Sequence, residues 1–247
     1  MDKYKEYRHL INDYLCRNNM VRNYGYYCLS STELNTVFSC LEPSDCPDMY
    51  AVLGNKIVII EHFEFDASEY KNKKGLIGKR EESHLKKRIE HAVCNNQFHI
   101  DKPVYPISLE NWQNNFELNF NNHYAKIDTY QNKVSESVQD GIDRSFVTGF
   151  FVENQFSPYV TINGKLTELY YFRTKQFAEK ILSNTKLDFV IFGSYENFKP
   201  QLTFIDRNAL CNIQGIVDLN SDQVELSHLN QNEVVMYGKF SFKNDST

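Results

Sequence analysis

Four consecutive aliphatic residues at positions 57–60, Ile-Val-Ile-Ile, constrain the fold more than any other feature of this 247-residue sequence. Because hydrophobicity does not alternate along them, both faces of the strand that they predict must be covered, as in the centre of a sheet. The acidic residues Glu61, Glu64 and Asp66 follow directly. Carboxylates at the end of a buried strand need a compensating partner, and a divalent cation can supply it. The sequence therefore predicts a candidate ion site at the end of a central strand.

A hairpin is predicted around this strand. Residues 48–53 and 56–65 both have the composition of strands, and Gly54-Asn55 between them tolerates the positive φ of a tight turn. Asp48, preceded by a proline, opens the first strand, and Glu61 lies near the end of the second. The two carboxylates meet only if the strand register places them opposite each other.

The remaining segments predict one α/β (α+β) domain, with a mixed sheet flanked by helices. Apolar residues three and four positions apart predict helices in residues 3–18, 30–42, 80–95, 109–134 and 166–182. Strands are predicted at residues 145–153, 159–162, 187–192, 201–206 and 234–242, the first two as a hairpin-like pair. The domain 1–247 would comprise an N-terminal helical extension (1–30), a motif-bearing core (31–95), a long helical insertion (96–140) and the second half of the sheet (141–247).

Composition narrows the class of protein. The first residues lack the apolar stretch of a signal peptide and no run reaches the roughly 18 apolar residues of a membrane span, so a cytoplasmic protein without membrane contact is expected. The six cysteines never occur as Cys-x-x-Cys, which disfavours a zinc ribbon and favours free thiols. A net charge of −5 argues against a protein that coats nucleic acid nonspecifically.

Positive charge is nevertheless concentrated between residues 71 and 88, where eight basic residues stand against two acidic ones. Such a segment can be a solvated loop and helix face, or a surface that contacts a nucleic-acid backbone. The charge pattern alone favours the first interpretation, and the position of the segment directly after the acidic strand is what raises interest in the second. The candidate nucleic-acid-binding residues are Lys71, Lys73, Lys74, Lys79, Arg80, Lys86, Lys87 and Arg88.

Three features in the first third of the chain together resemble the PD-(D/E)xK nuclease superfamily. They are Glu33 on a helix with a capping box, Pro47-Asp48 at the start of a strand, and the aliphatic run that ends in Glu61. The resemblance implies a restriction-endonuclease-like core in which Asp48 and Glu61 are catalytic residues and ligands of Mg²⁺ or Mn²⁺. It also implies Glu33 as an auxiliary ligand and the main-chain carbonyl of His62 as a further one.

The sequence departs from that pattern at one position, where Phe63 stands in place of the lysine of the family motif. Residues two apart on a strand share a face, so Phe63 points where the lysine would meet the phosphate. A lysine from the basic segment could supply the missing charge. The candidates are Lys74, Lys79, Lys86 and Lys87.

A second metal hypothesis uses the other face of the same strand. His62, Glu64 and Asp66 alternate at period two and could ligate a transition metal. The alternative is that the strand emerges into solvent and these residues form its wet side, which the pattern favours. Glu153, at the end of a later strand, is expected to be part of the scaffold.

The resemblance implies a metal-dependent nuclease, with DNA favoured over RNA as substrate and bacterial or phage defence as a suitable role. The alternative is a catalytically inactive nuclease-fold protein that binds nucleic acid or protein as a subunit of a larger complex. A protein partner or a second copy of the chain is a further candidate for binding.

Overall fold

The computed structural model of the protein describes residues 4–15, 21–71, 75–94, 108–154, 157–196, 199–213, 215–220 and 224–226. These residues form one seven-stranded mixed sheet, a separate three-stranded sheet and the helices around them. The mixed α/β class predicted from the sequence is confirmed. None of the helices in the described ranges is long and apolar enough to cross a membrane.

The helices are α1 (Lys5–His9), α2 (Ser31–Cys40), α3 (Ile77–Cys94), α4 (Leu109–Tyr124), α5 (Ile127–Ser137) and α6 (Lys175–Leu182). A π-helical segment, Leu10–Leu15, follows α1, and 3₁₀ turns cover Tyr171–Arg173 and Arg207–Asn212. The strands are β1 (Val21–Tyr24), β2 (Glu42–Pro43), β3 (Met49–Leu53), β4 (Lys56–Phe65), β5 (Ser145–Asn154), β6 (Tyr159–Ile162), β7 (Lys165–Glu168), β8 (Phe189–Glu196), β9 (Lys199–Asp206) and β10 (Val224–Leu226).

Strand β4 lies inside the large sheet, whose order is β1-β9-β8-β5-β4-β3-β2. It pairs antiparallel with β3 on one side and parallel with β5 on the other. Residues 57–60 are all buried, as a run without alternation predicts. Since β4, β5 and β8 are parallel, their carboxyl ends lie at one edge of the sheet.

Two apolar layers cover the faces of the sheet. On one face Ile57, Ile59, Phe63 and Phe65 pack with the buried aromatic residues of α4, which are Trp112, Phe116 and Phe120. On the other face Val58 and Ile60 pack with Leu34 and Val37 of α2. Burying one apolar side chain of this size stabilises the fold by roughly 1.5–3 kcal/mol. A shift of β4 by one residue would turn all of them to the other face and lose this packing, so the two layers fix which face each residue of β4 occupies.

The capping box predicted at the start of α2 is present. Ser30 Oγ accepts the Glu33 N–H at 3.2 Å, and Glu33 Oε2 accepts the Ser30 N–H at 2.8 Å. The other oxygen of Glu33 accepts a hydrogen bond from Lys56 Nζ at 2.7 Å. Glu33 therefore joins the start of α2 to the first residue of β4.

Two predicted helices differ from the structure. The predicted helix 109–134 is two helices, α4 and α5, because the chain leaves helical geometry near Lys126 (φ −101°, ψ 0°). The aromatic spacing continues across this break and conceals it. The predicted helix 166–182 is wrong in its first half, where β7 precedes α6.

The predicted pairing of residues 145–153 with 159–162 is also wrong. Strand β5 has β4 and β8 as its neighbours, whereas β6 pairs with β7 and β10 in the small sheet. Asn163 (φ 52°) and Gly164 (φ 74°) make the β6–β7 turn, and an Asn-Gly pair is a strong signal for such a hairpin. The short strand β1 was not predicted, and residues 234–242 lie outside the described part of the chain.

Candidate metal centre

The β3–β4 hairpin brings Asp48 and Glu61 together. The register pairs Met49 with Ile60, which places Asp48 opposite Glu61. The Asp48 N–H donates to Glu61 Oε2 at 3.0 Å, and the His62 N–H donates to Asp48 Oδ2 at 2.8 Å. Each carboxylate is therefore oriented by the backbone of the neighbouring strand.

Glu61 is held by two side chains from the helical layer. Tyr130 of α5 donates its hydroxyl proton to Glu61 Oε1 at 2.8 Å, and His123 Nδ1 of α4 lies 3.0 Å from the same oxygen. Burial by itself raises the pKa of Glu61, but the hydrogen bonds with His123 and Tyr130 outweigh it and lower the pKa below 4.5. Burial beside Glu61 raises the pKa of Tyr130, so its hydroxyl stays a donor.

The pKa of Asp48 is shifted in the opposite direction to that of Glu61. Burial and the negative charge of Glu61 raise the pKa of Asp48 from 3.8 to about 6, and the His62 N–H opposes this only in part. At neutral pH the hairpin thus holds two adjacent negative charges at a free-energy cost. A cation bound between them would relieve that cost.

Both acids line an open cleft of about 340 Å³. The described lining residues are Glu6, Asp48, Glu61, His62, Phe63, Glu64, Asn119 and His123. They include four carboxylates and two imidazoles, and neither lysine nor arginine is among them. An acidic concave surface attracts cations and repels free phosphate, so a phosphate can approach only after cations have neutralised the cleft.

Phe63 is a core residue, with 4% of its surface exposed. It packs against Phe116 and Phe150, and the ring of His123 stacks on it with centroids 5.3 Å apart and planes 17° apart. Phe63, at the position where the family motif has lysine, therefore packs against the imidazole of His123 from helix α4. That imidazole lies next to Glu61.

A second buried carboxylate, Glu153 of β5, lies on the opposite face of the sheet. Tyr14 donates to Glu153 Oε1 at 2.6 Å, and the Nε2 atoms of His9 and His62 lie 2.7 and 2.9 Å from Oε2. Burial by itself raises the pKa of Glu153, but the hydrogen bonds with His62 and His9 hold it well below its usual range. The sequence analysis gave Glu153 no part in a site. The parallel register of β4 and β5 places it opposite Glu64 and so beside His62 and Glu64.

The predicted trio of His62, Glu64 and Asp66 is corrected by this arrangement. One ligand atom from each of His62, Glu64 and Glu153 lies within 4.8 Å of the others. Asp66 follows the last residue of β4, and its Oδ1 accepts both the N–H and the hydroxyl of Ser68, at 2.9 and 2.6 Å. Asp66 is also buried, so the alternative of a fully wet strand side is wrong as well.

Glu33 does not lie at the cleft, which corrects its predicted role as an auxiliary metal ligand. Its carboxylate binds Lys56, five residues before Glu61 on β4. At about 3.3 Å per residue, the backbone of Lys56 lies roughly 16 Å from that of Glu61 along the strand. The capping box and the ion pair account for Glu33 without a metal.

The basic segment begins close to the end of β4. The Gly78 N–H donates to Ser68 Oγ at 2.9 Å, and a Cβ at Gly78 would lie 2.6 Å from Asp66 Oδ2, so a larger residue here would displace the Asp66 side chain. The side chains of Lys71, Arg80, Lys87 and Arg88 are exposed. Lys73 and Lys74, and the side chains of Lys79 and Lys86, lie outside the described part of the structure.

The described cysteines include four free thiols, Cys28, Cys40, Cys46 and Cys211. Burial and the neighbouring carboxylate of Asp206 raise the pKa of Cys28 strongly. A raised pKa disfavours the nucleophilic thiolate. Cys28 is therefore a structural residue.

Comparisons of the chain with protein-family profiles, with curated protein sequences and with solved structures found no match. The resemblance to the PD-(D/E)xK superfamily stays a prediction that depends on the motif residues.

Proposed function

We propose that the protein is a divalent-metal-dependent nuclease whose reaction centre is the cleft that holds Asp48 and Glu61. The observation that carries this proposal is the reciprocal contact of the two acids, each bound by the backbone of the other strand. Together with the PD-(D/E)xK-like pattern of the sequence, it favours Mg²⁺ or Mn²⁺, which prefer oxygen ligands.

The chemistry of the two acids fits such an ion. Glu61 is kept ionised by its hydrogen bonds, and the pKa of Asp48 is raised first by burial and then by the negative charge of Glu61. The open cleft leaves room for the waters that Mg²⁺ retains when proteins bind it. When bound, the ion would supply an acidified water and positive charge beside a phosphate.

The protein residues have separate parts in this proposal. Asp48 and Glu61 hold the ion, and the two backbone N–H groups fix the direction of their carboxylates. Tyr130 and His123 orient Glu61 from the helical layer. His123 stacks on Phe63, which stands where the family motif has lysine, and its Nδ1 lies 3.0 Å from Glu61 Oε1.

The basic segment 71–88 is proposed to bind the phosphate backbone of the substrate. It follows the strand that carries Glu61, and its residue Gly78 is hydrogen-bonded to Ser68, three residues after the end of that strand. Phosphate contacts of this kind give affinity without reading sequence. DNA is favoured over RNA as substrate, and a role in bacterial or phage defence would suit such an enzyme.

The experiment is a cleavage assay on labelled DNA and RNA with Mg²⁺ or Mn²⁺, using wild type, Asp48→Asn and Glu61→Gln. Both variants should lose at least about a hundredfold in rate while they keep a cooperative melting transition. Asp143→Asn, at an exposed position before β5, is the matched control and should cut at the wild-type rate. Undiminished cleavage in the two cleft variants would overturn the assignment.

Two observations favour a second candidate, a non-cleaving subunit that binds nucleic acid or protein. Phe63 is buried among aromatic residues, and the described lining of the cleft contains neither lysine nor arginine. This candidate predicts DNA binding without cleavage under every metal condition. It further predicts that Asp48→Asn leaves DNA affinity unchanged.

A further inference from the structure

We infer that His62, Glu64 and Glu153 form a second cation site, specific for a transition metal such as Zn²⁺ rather than Mg²⁺. The site lies on the opposite face of β4 from Glu61 and uses side chains other than Asp48 and Glu61, although His62 and Glu64 also line the cleft of the proposed nuclease centre. It does not require that the protein cleave nucleic acid.

The sheet itself assembles the three ligands. Glu64 and Glu153 are directly paired in the parallel register of β4 and β5, so their side chains leave the same face side by side. His62 precedes Glu64 by two residues and shares that face. Their ligand atoms lie within 4.8 Å of one another, whereas ligands bound at about 2.1 Å from one ion lie within about 4.2 Å of each other. A small side-chain movement closes the difference.

The donor set selects the kind of metal. An imidazole nitrogen with two carboxylates is a common set for Zn²⁺ and related ions, which bind nitrogen more strongly than Mg²⁺ does. The Asp48–Glu61 pair offers carboxylate oxygens instead, which suits the harder ion. The two faces of one strand end therefore have different metal preferences.

The surroundings of Glu153 resemble the outer shell of a metal ligand. Tyr14 holds one carboxylate oxygen at 2.6 Å, and His9 lies 2.7 Å from the oxygen that also contacts His62. Such partners fix the direction of a ligand and raise metal affinity. Both come from the N-terminal helical segment, which thereby encloses the site from outside the sheet.

An ion can reach the site from the open cleft. His62 and Glu64 are half-buried and line that cleft, while Glu153 lies behind them with 1% of its surface exposed. The ligand at the mouth, Glu64, can therefore be changed without opening the core. This makes Glu64→Gln the variant of choice.

The test is isothermal titration calorimetry of the EDTA-treated full-length protein with Zn²⁺ and, separately, with Mg²⁺. Wild type should bind Zn²⁺ in a step that excess Mg²⁺ does not block. Glu64→Gln should weaken that step at least about tenfold, the loss that even an indirect partner of a ligand can cause. Glu6→Gln removes the same charge from the same cleft and should leave the step unchanged.

Asp48→Asn separates this inference from the proposed function, because it should keep the Zn²⁺ step while it loses Mg²⁺ binding and cleavage. The visible spectrum of the Co²⁺-loaded protein gives a second readout. Because His62→Gln removes the nitrogen ligand, its spectrum should differ from that of the wild type. Absence of a Zn²⁺ step in wild type, or an equal step in Glu64→Gln, would show that the cluster is only a buried hydrogen-bond network.

Discussion

Replacing Asp48 with asparagine should stabilise the metal-free protein while it removes metal binding. A carboxyl group whose pKa is higher in the folded chain than in the unfolded chain favours folding while it is protonated, and that contribution is lost as pH rises through the folded pKa. For Asp48 the pKa rises from 3.8 to about 6. The difference corresponds to roughly 3 kcal/mol in the limit of full burial, and we expect about 1–2 kcal/mol because the side chain is partly exposed and its repulsion is shared with Glu61.

Asparagine is neutral at every pH and keeps an oxygen that can accept the His62 N–H. The stabilisation by Asp48→Asn should therefore be full above about pH 6, shrink between pH 6 and 4, and vanish below about pH 4. For a chain of this length it corresponds to a rise in melting temperature of roughly 3–6 °C in EDTA at pH 8. Thermal melts of wild type and Asp48→Asn in EDTA at pH 8 and pH 4 measure the expected rise in melting temperature and its expected loss.

Addition of Mg²⁺ should reverse the order of stability. An ion at a hundred times its dissociation constant stabilises the wild type by about 2.7 kcal/mol, whereas Asp48→Asn should gain nothing. Asp143→Asn should show neither the pH-dependent gain nor the loss of the Mg²⁺ response. A lower melting temperature for Asp48→Asn at pH 8, or an equal gain at pH 4 and pH 8, would refute the electrostatic account of the pair.

Three further changes test other parts of the molecule. Glu33→Ala should cost about 1 kcal/mol in urea unfolding through loss of the capping box, yet leave Mg²⁺ affinity unchanged; a tenfold weaker affinity would return Glu33 to the metal site. Neutralising Lys86, Lys87 and Arg88 together should lower the slope of log affinity against log salt for DNA by roughly three, and an unchanged slope would mean a merely solvated face. Phe63→Lys, which restores the family residue, should destabilise the fold by at least about 3 kcal/mol and give no faster cleavage, because the new charge would lie in the aromatic core; a stable and more active variant would contradict this.

The local features of the site were open to prediction from the sequence. The aliphatic run of residues 57–60 predicts a central strand, Ser30 with Glu33 predicts a helix cap, and the hairpin makes Asp48 and Glu61 neighbours. Each of these depends on residues close together in the chain. Local spacing is sufficient because strand alternation and helix capping operate over a few residues.

The partners contributed by distant segments could not be predicted in the same way. Glu153 meets Glu64 through a parallel pairing of strands that are about 90 residues apart in the chain, and neither strand contains a signal for its partner. His9 and Tyr14 reach Glu153 across 144 and 139 residues. The β6–β7 hairpin is different in kind, because the sequence does carry its Asn-Gly signal and the helical spacing after it was given more weight.

The two buried carboxylates are held in the same manner, although they lie on opposite faces of the sheet. Glu61 accepts a tyrosine hydroxyl and pairs with a histidine from the helical layer, and Glu153 does the same with Tyr14 and His9. In both cases the donors offset the desolvation of the charge and hold the pKa below its usual value. Carboxylates that are already ionised and oriented need little rearrangement to bind a cation. The fold itself therefore orients both carboxylates, and the alternation of side chains along β4 places Glu61 on one face of the sheet and His62 and Glu64, beside Glu153, on the other.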